Sequence, residues 1–331
     1  MTENPKQFAI GVDLGGTNMR IAALDSDGKQ LELITTSTEV KRGRDYVVGD
    51  ISDAIRALRK KFDGRYQFAG TGIGVPGIID MESGTVLQSP NLPDWTNYPV
   101  RDEIQRRLES QVILENDANV AALGETWMGA ARNAKSMCMF TLGTGVGSGI
   151  VLDGKIWHGM TGMAGECGHI TVYPDGVQCG CGNRGCVEQY ASATAVKRMA
   201  IEAIATGKAP ELARAMSENP EFSSKVVFQY AMEGDVAAQQ IFKVVGQALA
   251  MVLADMINAL NLPMYVIGGG LASGWEAFAP TMFAELRKRS YVYAATAPDE
   301  RLPARGHTVI TRALLGSDAG LVGAARLALM Q

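Results

Sequence analysis

No excess of positive charge runs through this 331-residue chain: 31 Lys and Arg stand against 35 Asp and Glu, giving a formal net charge of −4. Without a basic field there is little to hold a polyanion, so nucleic acid is not expected as a partner. The short basic clusters, Lys41–Arg42 with Arg44 and Arg106–Arg107, read as solvated helix faces or loops. Long apolar runs are also missing. The longest uncharged helix-like run lies between Lys243 and Asp255, short of the ~20 residues a bilayer span needs, so no membrane is expected. The uncharged stretch Ser136–Leu152 is broken by glycines at 143, 145, 147 and 149 and reads as strand, turn and strand. The opening MTENPKQF has no basic segment followed by an apolar core, so no secretory leader is expected. No linker rich in proline or serine divides the chain. Cysteine is scarce and odd in number, five in all, yet three fall between Cys179 and Cys186. In a reducing compartment such bunching points to metal ligation rather than disulfides, and the chain is read as cytoplasmic.

What is present is glycine, 38 residues gathered at a few turns, in a chain long enough for two cores. An apolar strand at Phe8–Val12 is followed by a glycine turn, a strand at Met19–Leu24, an Asp27-Gly28 hairpin signal and a strand at Leu31–Thr35. A helix is expected from about Asp45 to Lys61, with Val47, Ile51, Ile55 and Leu58 on one stripe, and then a strand, Gly70–Val75. The unit recurs: Met137–Leu142 is a strand, GTGVGSG a turn, Ile150–Leu152 a strand, and Asp153-Gly154 a hairpin signal. This weak internal repeat suggests two related halves, each with a cluster of backbone N–H groups at a strand end. A long helix is expected over Asp235–Leu260, then a strand at Met264–Ile267, the turn GGGLA and a terminal helix, Ala319–Leu329.

The glycine turns do not fit the commonest nucleotide motifs. Glycines spaced by two through 143–149 never give G-x-G-x-x-G, and a strand rather than a helix follows. Gly149 to Lys155 follows the Walker spacing until Ile156, but Asp153-Gly154-Lys155 belongs to a hairpin turn. The three turns in order instead resemble the actin-like ATPases. GVDLGGTNMR at 11–20 resembles their first phosphate loop, LGTGVGSG at 142–149 the second, and VIGGGLA at 266–272 the adenosine segment. Asp13 either caps its own turn or faces a Mg²⁺ beside the phosphates. His169, Cys179, Cys181 and Cys186 are one His and three Cys, the donor set of a tetrahedral structural Zn²⁺, with Gly180, Gly182 and Gly185 letting the loop fold back. Cys138 and Cys167 read as small buried hydrophobes. His158 and His307 read as ordinary surface or packing residues.

ECGHI at 166–170, CGCGNRGCVEQYAS at 179–192, ENDAN at 115–119 and the N-terminal DLGGT together resemble the ROK family of repressors, open reading frames and kinases, from residue 8 to the terminal helix. The resemblance implies an α/β, two-domain actin-like ATPase/hexokinase fold with an interdomain cleft that holds a sugar. The expected division is 1–115 and 116–316, with a helix at about 317–331 returning to the first domain. The family's repressors carry a DNA-binding region ahead of the first phosphate loop; here that loop begins at Gly11, so an enzyme is expected.

By the same resemblance the catalytic base is Asp117, whose other reading is the N-cap of the helix Ala118–Trp127. ATP with Mg²⁺ is expected at Asp13, Gly15, Gly16, Thr17 and Asn18, at Gly143, Thr144 and Gly145, and at Gly268, Gly269 and Gly270. The hexose is expected at Asn91, Asn116, Asp117, Glu166, His169 and Glu188. On other readings the two Glu are surface carboxylates and Asn91 a turn residue. Gly77 either brings backbone near the sugar or forms a simple turn. SPNLPDWTNYPV at 89–100 reads more like the family's glucokinases than its kinases of N-acetylmannosamine, fructose or allose. A homodimer or dimer of dimers is implied as well.

Overall fold

A computed structural model describes residues 6–89, 91–298 and 306–331. The start of MTENPKQF and Pro90 of SPNLPDW, both used above, lie outside the described residues.

The chain opens with an antiparallel meander, β1 (Gln7–Leu14), β2 (Asn18–Asp25) and β3 (Gln30–Ser37). Helix α1 (Arg44–Phe62) leads to β4 (Gln67–Val75), a small hairpin of β5 (Ile78–Asp80) and β6 (Thr85–Gln88), helix α2 (Val100–Leu108), β7 (Val112–Asn116) and α3 (Asp117–Trp127). The first sheet has the order β3-β2-β1-β4-β7, with β1, β4 and β7 parallel. Its two faces are built from residues of different size. Phe8, Ile10, Val12 and Leu14 alternate along β1 onto one face, packing with Val47, Ile51, Ile55 and Leu58 of α1. Ala9 points the other way, toward Leu321, Val322, Ala325 and Ala328 of the last helix, α11 below. Glycine completes that small-residue face. A Cβ at Gly11 would stand 2.2 Å from the Leu321 carbonyl oxygen, and one at Gly72 would stand 1.9 Å from that of Ala324. Only residues without side chains let a helix backbone lie this close to the strands.

The second sheet repeats the plan. Strands β8 (Met137–Leu142), β9 (Val146–Leu152) and β10 (Lys155–Ile156) come first; after a long helical insertion follow β11 (Met264–Gly268) and β12 (Val309–Arg312). The order is β10-β9-β8-β11-β12, the same arrangement position for position. The GTGVGSG turn is shorter than its letters suggest, because β9 begins at Val146 and leaves Gly143-Thr144-Gly145 as the turn. The insertion carries α4 (Glu188–Ala191), α5 (Ala193–Ala205), α6 (Pro210–Glu218), α7 (Ser224–Met232) and α8 (Val236–Leu260). Helices α9 (Trp275–Arg289) and α10 (Tyr291–Thr296) lie between β11 and β12, and α11 (Ala319–Leu329) ends the chain. Helix α8 is long and apolar enough to cross a bilayer, but 67% of its most apolar window is buried in the protein, as befits a core helix.

Two compact units result: Met1–Met137 with Gly149–Gly165 and Leu314–Gln331, and Cys138–Ser148 with Glu166–Ala313. The division expected at residues 115/116 differs from this, since α3 clusters with the first unit. The reason is close helix packing on α11, where a Cβ at Gly323 would meet the Val120 carbonyl at 1.7 Å. Glu125, fully buried on α3, reinforces it: its carboxylate accepts the backbone N–H groups of Ala130, Leu314 and Leu315 at 2.7–3.1 Å.

Candidate active site

In the first unit the phosphate-type turn is held from behind. The Gly15 N–H donates to the Asn18 carbonyl at 2.9 Å, closing the turn between β1 and β2. Buried Thr38, just beyond β3, donates its hydroxyl to the Gly15 carbonyl at 2.6 Å and its N–H to the Thr17 carbonyl at 2.9 Å. Those carbonyls are therefore engaged by protein donors, which suits the turn to receive an anion on its N–H groups. A Cβ at Gly16 would lie 2.9 Å from the Asn91 carbonyl, so this turn and Asn91 are neighbours.

Asp13 precedes the turn at the end of β1. Its carboxylate lies against the first turn of α11, about 3.1 Å from where a Gly320 Cβ would stand. Burial, with the charges of Asp117 and Asp318 adding to it and Arg20 opposing, raises its pKa from 3.8 to about 6. Asp13 and Asp117 therefore share one electrostatic environment at the C-terminal ends of the parallel strands β1 and β7, where α/β sheets bind ligands. A half-buried carboxylate held this far up, beside a turn suited to phosphate, has the chemistry to face Mg²⁺. Sequence reasoning missed Arg20. It donates to the Ser317 carbonyl at 2.7 Å and pairs with Asp318, tying β2 to the start of α11.

Asp117 sits in a turn of dense hydrogen bonding. Asn116, rather than Asp117, caps α3: its Oδ1 accepts from the N–H groups of Ala118 and Asn119, at 2.9 and 3.3 Å. Its Nδ2 donates to the Gly77 carbonyl at 3.1 Å, where Gly77 has φ of 118°. Asp117 is the first helical residue, and its Oδ1 accepts from Ala118 N at 2.9 Å. Glu115, one step before, is 2% exposed, and its Oε2 stands 2.7 Å from His158 Nε2. Its Oε1 accepts from Asn116 N and Asn119 Nδ2, each at 2.9 Å. His158, expected as an ordinary surface or packing residue, is thus held against a buried carboxylate. Its pKa is raised by the Glu115 hydrogen bond, against the opposing effect of burial. His307 has no comparable partner among the described residues.

The second unit builds its turn from backbone and one carboxylate. Gly143 N–H donates to the Gly145 carbonyl, while the carbonyls of Gly143 and Thr144 accept from Ala193 N and Thr194 Oγ1 at 2.8 and 2.7 Å. Glu188, first residue of α4, accepts from Val146 N at 3.0 Å, and a Cβ at Gly145 would fall 2.3 Å from the same oxygen. In the adenosine-type segment Gly269 has φ of 84° and lies against the Leu142 backbone, whereas a Cβ at Gly270 would touch nothing within 4 Å among the described residues.

The same unit gathers His169, Cys179, Cys181 and Cys186, with one donor atom from each inside a 4.8 Å span. His169 Nδ1 stands 3.7 Å from Cys179 Sγ, and Cys181 Sγ is 3.7 Å from Cys186 Sγ. Ligands ~2.3 Å from a tetrahedral Zn²⁺ stand about 3.7 Å apart, so the donor set and its spacing both fit that ion. Without a cation, burial and the adjoining Cys179 and Cys181 thiols push the Cys186 pKa up to about 12. Gln178 Nε2 braces the loop by donating to the carbonyls of Cys179, Gly182 and Asn183 at 3.2–3.3 Å. With Nδ1 toward the thiols, His169 Nε2 lies 3.9 Å from Glu166 Oε2, so the ring and Glu166 are close neighbours. Cys138 and Cys167 are both buried, apart from this cluster.

Comparisons with known proteins agree over nearly the whole chain. The ROK family model matches residues 9–331. A glucokinase of Halalkalibacterium halodurans is 37% identical over 96% of this chain and 93% of its own. A glucokinase of Thermotoga maritima is also 37% identical, over 98% of both chains. The crystal structure of a ROK family glucokinase from Streptomyces griseus in complex with glucose and AMPPNP is 34% identical, with a TM-score of 0.78 over 98% of this chain and 100% of that one.

Proposed function

The chain belongs to the ROK family, with its two-domain actin-like ATPase/hexokinase fold, and on that premise we propose that it is a glucokinase, transferring the γ-phosphoryl group of ATP to the primary hydroxyl of glucose. The observation that carries the reading is the placing of Asp13 and Asp117 together at the ends of β1 and β7, beside the Gly15–Gly16 turn. Phosphoryl transfer asks little covalent chemistry of a protein; it needs alignment, charge neutralisation and a base at the attacking hydroxyl. Asp117 is the base, its carboxylate oriented by the Ala118 N–H. Asp13 is the residue that would hold Mg²⁺, which when bound supplies positive charge against the phosphate oxygens. The turns at Gly15–Asn18 and Gly143–Gly145 offer N–H groups to phosphate, and the Gly268–Gly270 segment serves the adenosine.

Asn91, Asn116 and Asp117 of the first unit and Glu166, His169 and Glu188 of the second are the proposed hexose contacts. Asn116 brings to this task only the donor capacity left after its cap and its Gly77 bond. His169 would bind Zn²⁺ through one ring nitrogen and offer the other to a sugar hydroxyl, so the ion fixes the ring without touching phosphate. The enzyme works in the cytoplasm as a homodimer or dimer of dimers on this reading.

A coupled assay with ATP·Mg²⁺ on glucose, N-acetylmannosamine, fructose and allose tests the proposal. Glucose should give the highest kcat/KM. Preference for another sugar would reassign the substrate, and phosphorylation of none would remove the kinase reading.

A further inference from the structure

The catalytic turn is moored by a pair that the phosphoryl-transfer chemistry does not itself call on. Glu115 is buried at the end of β7, directly before Asn116 and Asp117, and every hydrogen bond to it comes from something that shapes this turn or enters it from elsewhere. Its Oε1 takes the N–H of Asn116 and the Nδ2 of Asn119, one residue before and two after Asp117. Asn119 serves Glu115 at its own expense, since its Oδ1 is buried without a partner among the described residues. The Oε2 is 2.7 Å from His158 Nε2, 43 residues along the chain. A carboxylate removed from water needs a cation or several donors, and this one has the two N–H donors of the turn and the His158 ring.

His158 is equally placed to act. It follows the β9–β10 hairpin, where Trp157 N–H donates to the Ile150 carbonyl at 2.8 Å. The His158 carbonyl in turn accepts from Ala164 N at 3.2 Å, closing a loop whose Gly159, Gly162 and Gly165 all have positive φ, between 65° and 98°. A loop turned by three such glycines has little stiffness of its own. The His158 ring ties it to the strand end that carries Asp117, and the chain then continues into Glu166.

We infer that His158 and Glu115 are positioning residues for phosphoryl transfer: their contact fixes the β7–α3 turn, and so the aim of the Asp117 carboxylate, while anchoring the 159–165 loop. The inference rests on Asp117 being the base. It acts through geometry alone, and no bond to substrate is asked of either side chain. Displacing a catalytic group by ~1 Å can cost on the order of 100-fold in rate, which sets the scale of the effect.

The test compares full-length His158→Ala, His158→Arg and the double variant His158→Ala with Glu115→Gln, alongside Asp117→Asn, by steady-state kinetics on glucose and ATP and by thermal unfolding. His158→Ala should lower kcat by about 10- to 100-fold, with KM for ATP changed less than about threefold. His158→Arg, which keeps an N–H donor opposite Glu115, should recover most of the turnover. The double variant leaves no unpaired charge, so it should fold at least as well as His158→Ala yet remain slow. A purely structural pair would instead lower the unfolding temperature while leaving kcat per folded molecule unchanged in all three, and that result would overturn the inference. Near-normal turnover in Asp117→Asn would remove the underlying base assignment, a separate failure visible in the same experiment.

Discussion

The two sheets share a strand order and a glycine turn after the first strand, yet they equip that turn differently. In the first, VDLGGT places Asp13 two residues before Gly15 and surrounds it with Arg20, Asp117 and Asp318. In the second, FTLGTG has Thr141 at the matching position, and the turn is held by backbone and hydroxyl bonds from the start of α5. The first turn is thus set among several charged side chains, the second among backbone and hydroxyl donors with a single carboxylate, Glu188, beside it. The lesson is that repetition of a fold conserves the N–H geometry at a strand end, while the function of each copy is set by one or two side chains around it.

The largest expected effect is at Asp117, one of the charges around the first turn. Asp117→Asn should reduce kcat by ~10²- to 10⁴-fold, the range for losing a general base, with glucose binding and the unfolding temperature nearly unchanged. Asp13→Asn set against Thr141→Val tests the asymmetry itself. The first should lower kcat/KM for MgATP on the order of 100-fold, the second only a few-fold; equal losses would break the comparison. Asp13→Asn should also gain stability. The fold raises the Asp13 pKa from 3.8 to about 6, so it favours the protonated form, and stability falls as pH rises between those values. Asn does not titrate. Its advantage, about 1–3 kcal/mol at most, should therefore be full above pH 6 and vanish below 3.8 in denaturant titrations.

Zinc removal by chelation, or Cys181→Ser, should raise KM for glucose about tenfold while moving KM for ATP little, provided the protein remains folded by circular dichroism. Unchanged glucose affinity in folded, zinc-free protein would detach the metal from substrate recognition. The smallest effects belong to single glycines. Gly145→Ala drives a methyl onto the Glu188 carboxylate and should raise KM for glucose several-fold, whereas Gly270→Ala meets no atom of the described residues within 4 Å and should leave unfolding unchanged.

Much of this was legible in the sequence because it is local. The strands, the hairpin turns, α8 and α11 follow from apolar runs, from period and from Asp-Gly pairs within a few residues. The His and three Cys announce themselves through donor type and bunching. The misses are interactions between distant positions. Arg20 finds Asp318 across 298 residues and His158 finds Glu115 across 43, and nothing in either neighbourhood marks the partner. Asp117 and Asn116 compete for the same cap, and only the dihedrals decide that Asn116 holds it. A faint signal did exist for Glu115: an acidic residue inside an otherwise apolar strand needs donors from somewhere. The place of α3 in the first unit was not legible for a related reason. Glycines in α3 and α11 pack those helices together, and that affinity is invisible until both are placed.

The packing of α11 against β1 and β4 also bears on synthesis. The small-residue face of the first sheet meets a helix that begins at Ala319, so this unit cannot bury that face until residues 319–329 have left the ribosome. The second unit has all its residues once Ala313 is made. The unit that holds β1 is thus the one that closes its core later, and the helix that completes it is also the one whose first turn lies against Asp13. A chain terminated early would lack both a closed core and a properly seated acidic centre, so incomplete products should be inactive and exposed to proteolysis alike.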